Sequence, residues 1–145
     1  FVSDRAGTPQ VYLVNTGGKG IRPITNLSDG ACQPDWSPDG EKIVFVSPCK
    51  VDQDILTGSS LYVVDADGTN LSQLTTAAGG DFEPAWSPDG KRIAFTSLRD
   101  GHLQIYTINL EDNNVHRLTD TNRDEFARQP AWSPFGNQIA YSIKP

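Results

Sequence analysis

Methionine is absent from this chain of 145 residues, and cysteine and histidine occur only twice each. No stretch approaches the ~20 consecutive apolar residues that cross a bilayer, so membrane insertion is not expected. The opening "FVSDRAGTPQ" has neither a basic start nor an apolar run, so no signal peptide is legible. Without any Met, the chain reads as a mature or excised segment. Basic side chains are outnumbered, twelve against eighteen acidic, giving a net charge of −6, and Lys91-Arg92 is the sole adjacent basic pair. Phosphate backbones are held by clustered Lys and Arg, so a nucleic-acid partner is not expected. No G-x-S-x-G occurs, hence no nucleophile elbow. Cys32 and Cys49 are too few for a disulfide scaffold and lack zinc-ligand spacing. Neither catalysis nor a cofactor is expected of these residues, although a larger parent protein stays open.

What the chain has in abundance is itself. "QPDWSPDGEKIVFVS" at 33–47, "EPAWSPDGKRIAFTS" at 83–97 and "QPAWSPFGNQIAYS" at 129–142 are three copies of one pattern. Trp36, Trp86 and Trp132 stand 50 and 46 residues apart. A period in the forties with four short apolar runs per unit predicts a β-propeller blade. Around Trp86 the runs are "EPAWS", "KRIAFTS", "LQIYTINL" and "VHRLT", rich in β-branched and aromatic residues and separated by Gly, Pro, Asn and Asp. No helical period of comparable length competes. The "SPDG" between the first two strands is a tight turn: Pro88 presets φ, Asp89 follows, and Gly90 takes a left-handed conformation. In the last copy Phe135 replaces the Asp, an odd residue for a turn tip.

The pattern of W-S-P-D-G, an aromatic strand, then "IY" or "LY", then "LT" resembles the repeat of TolB-like propellers. "PAWSPDGKRIAFTSLRDGHLQIYTINLEDNNVHRLTD" and "LYVVDADGTNLSQLTT" carry the resemblance, which spans essentially the whole chain. These propellers are related to the WD-repeat family and to the propellers of prolyl oligopeptidases and dipeptidyl peptidases. The resemblance implies an all-β fold of four-stranded antiparallel blades, a protein- or peptide-binding scaffold, and a periplasmic or envelope setting. Two other readings stay open: the regulatory propeller of a serine peptidase, and a metal-dependent polysaccharide lyase.

Aligned copies divide the chain into strands of a first blade (1–32), a second blade (33–75), a third (83–119), and the first two strands of a further one (129–145). That is about three blades' worth, with the cut inside a blade. Rings need about four to eight blades. Either the segment belongs to a longer propeller, or two copies close a six-bladed ring as a homodimer, the number common among TolB-like propellers. In the dimer, "FVS" at 1–3 would be displaced by the partner's last strand.

The loops hold the candidate binding residues, because the second-to-third loop and the link between blades emerge on one face. The second blade carries a six-residue insertion there, within 48–60. The face gathers Lys50, Asp52, Asp54, Asp81, Arg99, Asp100, His102, Arg123, Asp124, Glu125 and Arg128. Gln33, Glu83 and Gln129 share one repeat position at the start of the innermost strand and should ring the channel mouth. The tryptophans are read as inter-blade packing rather than ligand stacking. "DADGTN" at 65–70 matches the opening of a calcium loop, but Thr76 stands where the final acidic ligand belongs, and a turn at Asp67-Gly68 explains it. His102 in a loop and His116 on an outer strand do not form a metal cluster. The sequons at Asn26 and Asn70 are read as chance matches. Cys32 and Cys49 both fall toward the loop face and would pair only if the insertion folds back.

Overall fold

The computed structural model describes residues 1–50, 53 and 55–145, and those residues hold thirteen strands and no helix. Four antiparallel sheets follow one another along the chain. The first comprises β1 (Val2–Ser3), β2 (Gln10–Leu13) and β3 (Arg22–Pro23). The second comprises β4 (Cys32–Trp36), β5 (Lys42–Ser47), β6 (Ser60–Asp65) and β7 (Ser72–Gln73). The third comprises β8 (Asp81–Trp86), β9 (Arg92–Ser97), β10 (Gln104–Asn109) and β11 (Val115–Arg117). A hairpin of β12 (Phe126–Trp132) and β13 (Ile139–Lys144) follows. In both four-stranded sheets the spatial order equals the chain order, which is the meander of a propeller blade.

The cores lie between sheets, and strand alternation builds them. On β5, Ile43 and Phe45 face the first sheet and pack with Val11, Ile24 and Ala31. Val44 and Val46 face the opposite way and pack with Phe82, Trp86, Ile93 and Phe95 of the third sheet. Phe45, Phe82 and Phe95 are fully buried, each contributing about 1.5–3 kcal/mol by removal from water.

The tryptophans divide. Trp86 is buried in the core between the second and third sheets. Trp132 is half-buried; its indole N–H donates to the Ala85 carbonyl at 3.0 Å, and the Arg92 guanidinium lies 4.7 Å from its ring. Trp36 departs from the expectation of inter-blade burial, being 47% exposed. The reason is topological: Trp132 packs backward onto an innermost strand, and the sheet behind Trp36 holds no such strand among the described residues.

The expected turns form. Gly40, Gly90 and Gly136 have φ of +74°, +72° and +69°, and their N–H groups donate to Ser37, Ser87 and Ser133 carbonyls at 2.9 Å. Asp39 and Asp89 accept from the serine hydroxyl and from the N–H two residues on. The serine hydroxyl bond, then the backbone bond, holds each carboxyl below its ordinary value. Phe135 makes no such bonds; there Ser133 Oγ turns to Asn137 Oδ1 at 3.0 Å, and the ring stands 92% exposed.

The "LT" signature also has a mechanical role. Thr25, Thr75 and Thr119 hydroxyls accept the N–H of Val11, Leu61 and Ile105 at 2.9, 3.0 and 2.9 Å. Each side chain thereby extends the pairing of its short outer strand with the strand before it. Thr119→Val keeps the shape but strands the buried Ile105 N–H. It should lower unfolding free energy by about 1–3 kcal/mol, read from the urea midpoint at unchanged slope.

Candidate functional site

The meander places the loop after each second strand, and each link between sheets, at one end. Backbone bonds sew them together: Ala31 N–H to Pro9 carbonyl (2.7 Å), Asp81 N–H to Ser59 carbonyl (3.0 Å) and Ala127 N–H to Leu103 carbonyl (3.1 Å). The approach is tight enough to demand glycine. A Cβ on Gly80, whose φ is +97°, would lie 2.4 Å from the Leu56 carbonyl oxygen.

On this end, one motif repeats with an exception. Arg99 donates from Nη2 to both carboxylate oxygens of the fully buried Asp81 at 3.0 Å, and from Nε to Ser97 Oγ at 3.0 Å. Its guanidinium lies over Phe95 and Tyr106, which stack on each other. Arg5 does the same over Phe1 and Tyr12, with Nε donating to Ser3 Oγ at 3.1 Å. In the second sheet the position two residues past the strand-ending serine is Cys49 instead of arginine. Cys49 forms a disulfide with Cys32, α-carbons 5.8 Å apart, and its N–H donates to the Asp29 carbonyl at 2.8 Å. The two cysteines therefore do meet, and a covalent tie stands where the other sheets use a stacked cation.

Tyr106 is pushed up to about 12, chiefly by burial and then by its hydroxyl donating to the Asp100 carboxylate. Asp100 also lies 3.8 Å from Arg117.

A second repeated device lies at the innermost strands. Gln33, Glu83 and Gln129 have φ of +51°, +54° and +57°, and each sits in a β-bulge where the register shifts. Left-handed residues other than glycine cost of order 1–3 kcal/mol each, so three in register mark a structural requirement. The bulge allows strand pairing to extend upstream, which is why β4, β8 and β12 begin at 32, 81 and 126, ahead of the 33, 83 and 129 expected from sequence. It also turns the Gln33 and Glu83 side chains toward the following sheet. Gln33 Oε1 accepts the Glu83 N–H at 2.7 Å, and Glu83 Oε2 accepts the Gln129 N–H at 2.9 Å. Glu83 further accepts from Thr96 Oγ1 at 2.7 Å and pairs with Arg128 Nη2 at 2.6 Å. The sequence reading set this position at a channel mouth; in the structure Gln33 and Glu83 spend their side chains between sheets.

The candidate residues thus separate into two groups. Arg99, Glu83 and Arg128 are at least half-buried and engaged internally. Lys50, Asp100, Arg123, Asp124 and Gln129 are exposed, and His102 and Glu125 are half-buried. Asp52 and Asp54 lie outside the described residues. Among the described residues no three His, Cys, Asp or Glu side chains gather as a metal site. Sequence reasoning missed the inter-sheet bonds; the dipeptides Gln33-Pro34, Glu83-Pro84 and Gln129-Pro130 were the available signal.

A family model described as the TolB beta propeller domain matches residues 54–144. The chain belongs to that family. Among solved structures, TolB from Acinetobacter baumannii is similar over 99% of this chain and 34% of its own, with TM-score 0.84 and 28% identity. A putative TolB from Agrobacterium tumefaciens matches over 97% of this chain and 47% of its own, with TM-score 0.79 and 29% identity. Among curated proteins, a Bacillus subtilis protein described as an uncharacterized peptidase, YuxL, is 44% identical over 45 residues, 30% of this chain and 7% of its own. The Tol-Pal system protein TolB of Nitratidesulfovibrio vulgaris is 51% identical over 35 residues, 24% of this chain and 8% of its own. This TolB-type chain therefore spans less than half the length of each of these relatives. An oligogalacturonate lyase in complex with manganese, at 22% identity and TM-score 0.60, shares the fold.

The inter-sheet pair gives a direct test. Arg128→Ala leaves the Glu83 carboxylate, only 10% exposed, without its cation. A loss of about 3 kcal/mol is expected; the double variant with Glu83→Gln should recover part of it in a double-mutant cycle by chemical denaturation.

Proposed function

We propose that this TolB-type propeller segment is a non-catalytic scaffold that presents its loop end to a protein or peptide. The observation that carries the reading is the separation of charges just described. Buried pairs Asp81–Arg99 and Glu83–Arg128 rigidify the strand ends. Lys50, His102, Arg123 and Asp124 take no part in those pairs and lie on loops at the same end, beside the exposed Asp100, which Tyr106 and Arg117 hold. Polar loops on a stiff all-β support are where recognition is normally built. The disulfide fits an oxidising compartment, in line with a periplasmic or envelope setting.

A second reading is the regulatory propeller of a serine peptidase. The 44% identity to a stretch of YuxL favours it. A hydrolase domain with G-x-S-x-G in the parent open reading frame would establish that reading and sink the free-standing scaffold.

Selection of a displayed random-peptide library against the chain tests the scaffold. Enriched peptides should bind with micromolar or tighter affinity, and the combined variant Lys50→Ala, Arg123→Glu, Asp124→Ala should weaken them at least about tenfold. Its melting temperature should be unchanged. Equal binding to the variant, or no enrichment, overturns the reading.

A further inference from the structure

The elaborated loop of the second sheet is held at two points. At its base Cys49 is tied to Cys32 of β4. Toward its far end Leu56 is buried and packs in the core between the second and third sheets. The turn around Leu56 is closed by its own backbone. Thr57 N–H donates to the Ile55 carbonyl at 3.1 Å, and Ser59 N–H to the Leu56 carbonyl at 3.2 Å. Asp81 N–H of β8 donates to the Ser59 carbonyl at 3.0 Å, which fastens the turn to the third sheet. Ordering a loop on binding costs free energy, and a turn pinned this way has met that cost during folding.

What the anchoring holds up is Ile55, 38% exposed beside the buried Leu56. The link 76–80 between β7 and β8 lies directly against the turn. A Cβ on Gly80 would come within 3.0 Å of Gly58 N and 3.2 Å of Thr57 Cα. Turn 55–59 and link 76–80 read Ile-Leu-Thr-Gly-Ser and Thr-Ala-Ala-Gly-Gly, without one charged side chain. Thr57, Gly58, Thr76 and Ala78 are exposed along with Ile55. The other two links are charged: Asp29 precedes β4, and Arg123, Asp124 and Glu125 precede β12.

This uncharged patch lies at the loop end, beyond the strand ends of two complete four-stranded sheets. Its exposure is therefore set by those sheets and their own loops. Small side chains there let another backbone approach closely. A Lys or Asp brought against the patch would lose water and gain no partner, so an uncharged, apolar segment is the complementary chemistry. Lys50, Asp100, Arg123 and Asp124 on the other loops of this end then take the place of a polar rim around an apolar centre.

We infer that Ile55, with Thr57, Gly58 and Ala78, is the apolar centre of the partner surface. Its occupant is a peptide segment that packs an aliphatic or aromatic side chain on Ile55. The inference rests on the scaffold reading above and names the centre of that surface.

Peptides selected from a displayed random library against the 145-residue chain should share an aliphatic or aromatic residue with uncharged neighbours. Ile55→Ser and, separately, Ala78→Glu alter exposed residues and should leave melting temperature and circular dichroism unchanged. Each should weaken the selected peptides at least about tenfold, as loss of a central anchor does. Ile55→Val, which keeps the apolar surface, should cost about threefold or less. Phe135→Ser, at the opposite end and on a far more exposed ring, should have no effect. Peptides weakened by the Lys50, Arg123 and Asp124 variant but indifferent to Ile55→Ser and Ala78→Glu overturn this inference and leave the scaffold reading standing. Peptides weakened by Phe135→Ser overturn it by showing general apolar adhesion. Absence of any enriched peptide overturns both.

Discussion

Everything at the inner edge of this protein depends on a left-handed residue placed before a proline. An extended strand would direct alternate side chains above and below its own sheet and leave adjacent sheets without these acceptor bonds at the inner edge. The bulges at Gln33 and Glu83 convert a side chain into an acceptor for the following repeat, while the Gln129 side chain accepts from Ser142 of its own hairpin. The local cost is offset because the bond is short, partly desolvated and, at Glu83, charge-assisted by Arg128. Sheets tied this way keep a fixed rotation relative to one another. Loops attached to their ends inherit that rigidity.

The second sheet shows how the framework tolerates elaboration. Its neighbours close their loop ends with arginine stacked on an aromatic pair. The second sheet keeps the aromatic pair Phe45–Tyr62, but its loop is six residues longer and cysteine stands at the arginine's position. Cysteine at the arginine's position and a second cysteine at the start of β4 hold the longer loop against the link before it. The loop is thereby anchored at its base while Lys50 stays in solvent. The insertion is a local change that leaves the strand registers of β5 and β6 regular.

Charged residues that look equivalent in sequence have opposite fates in the structure. Arg99 and Arg123 are both loop-end arginines. Arg99 is drawn inward because Asp81 is fully buried and Phe95 and Tyr106 offer it a face, whereas Arg123 has no such seat and stays exposed. Likewise Glu83 looks like a channel-mouth acid until the bulge turns it sideways. Placement near a loop end was readable; orientation was not, since it depends on a positive φ that no pattern of apolar residues encodes.

The repeats determined the strand runs, the SPDG turns, the short outer strands ended by "LT", and which face of each strand is apolar, because these follow from period-two burial and turn chemistry within a few neighbouring residues. They also placed Cys32 and Cys49 at the same end. Whether the cysteines meet, which carboxylates are buried, and which tryptophan finds a seat were decided by tertiary structure alone. Trp36, Trp86 and Trp132 sit in nearly identical sequence, yet one is buried, one half-covered and one open. The difference lies in the sheet that stands behind each, and that is a property of neighbours distant in the chain.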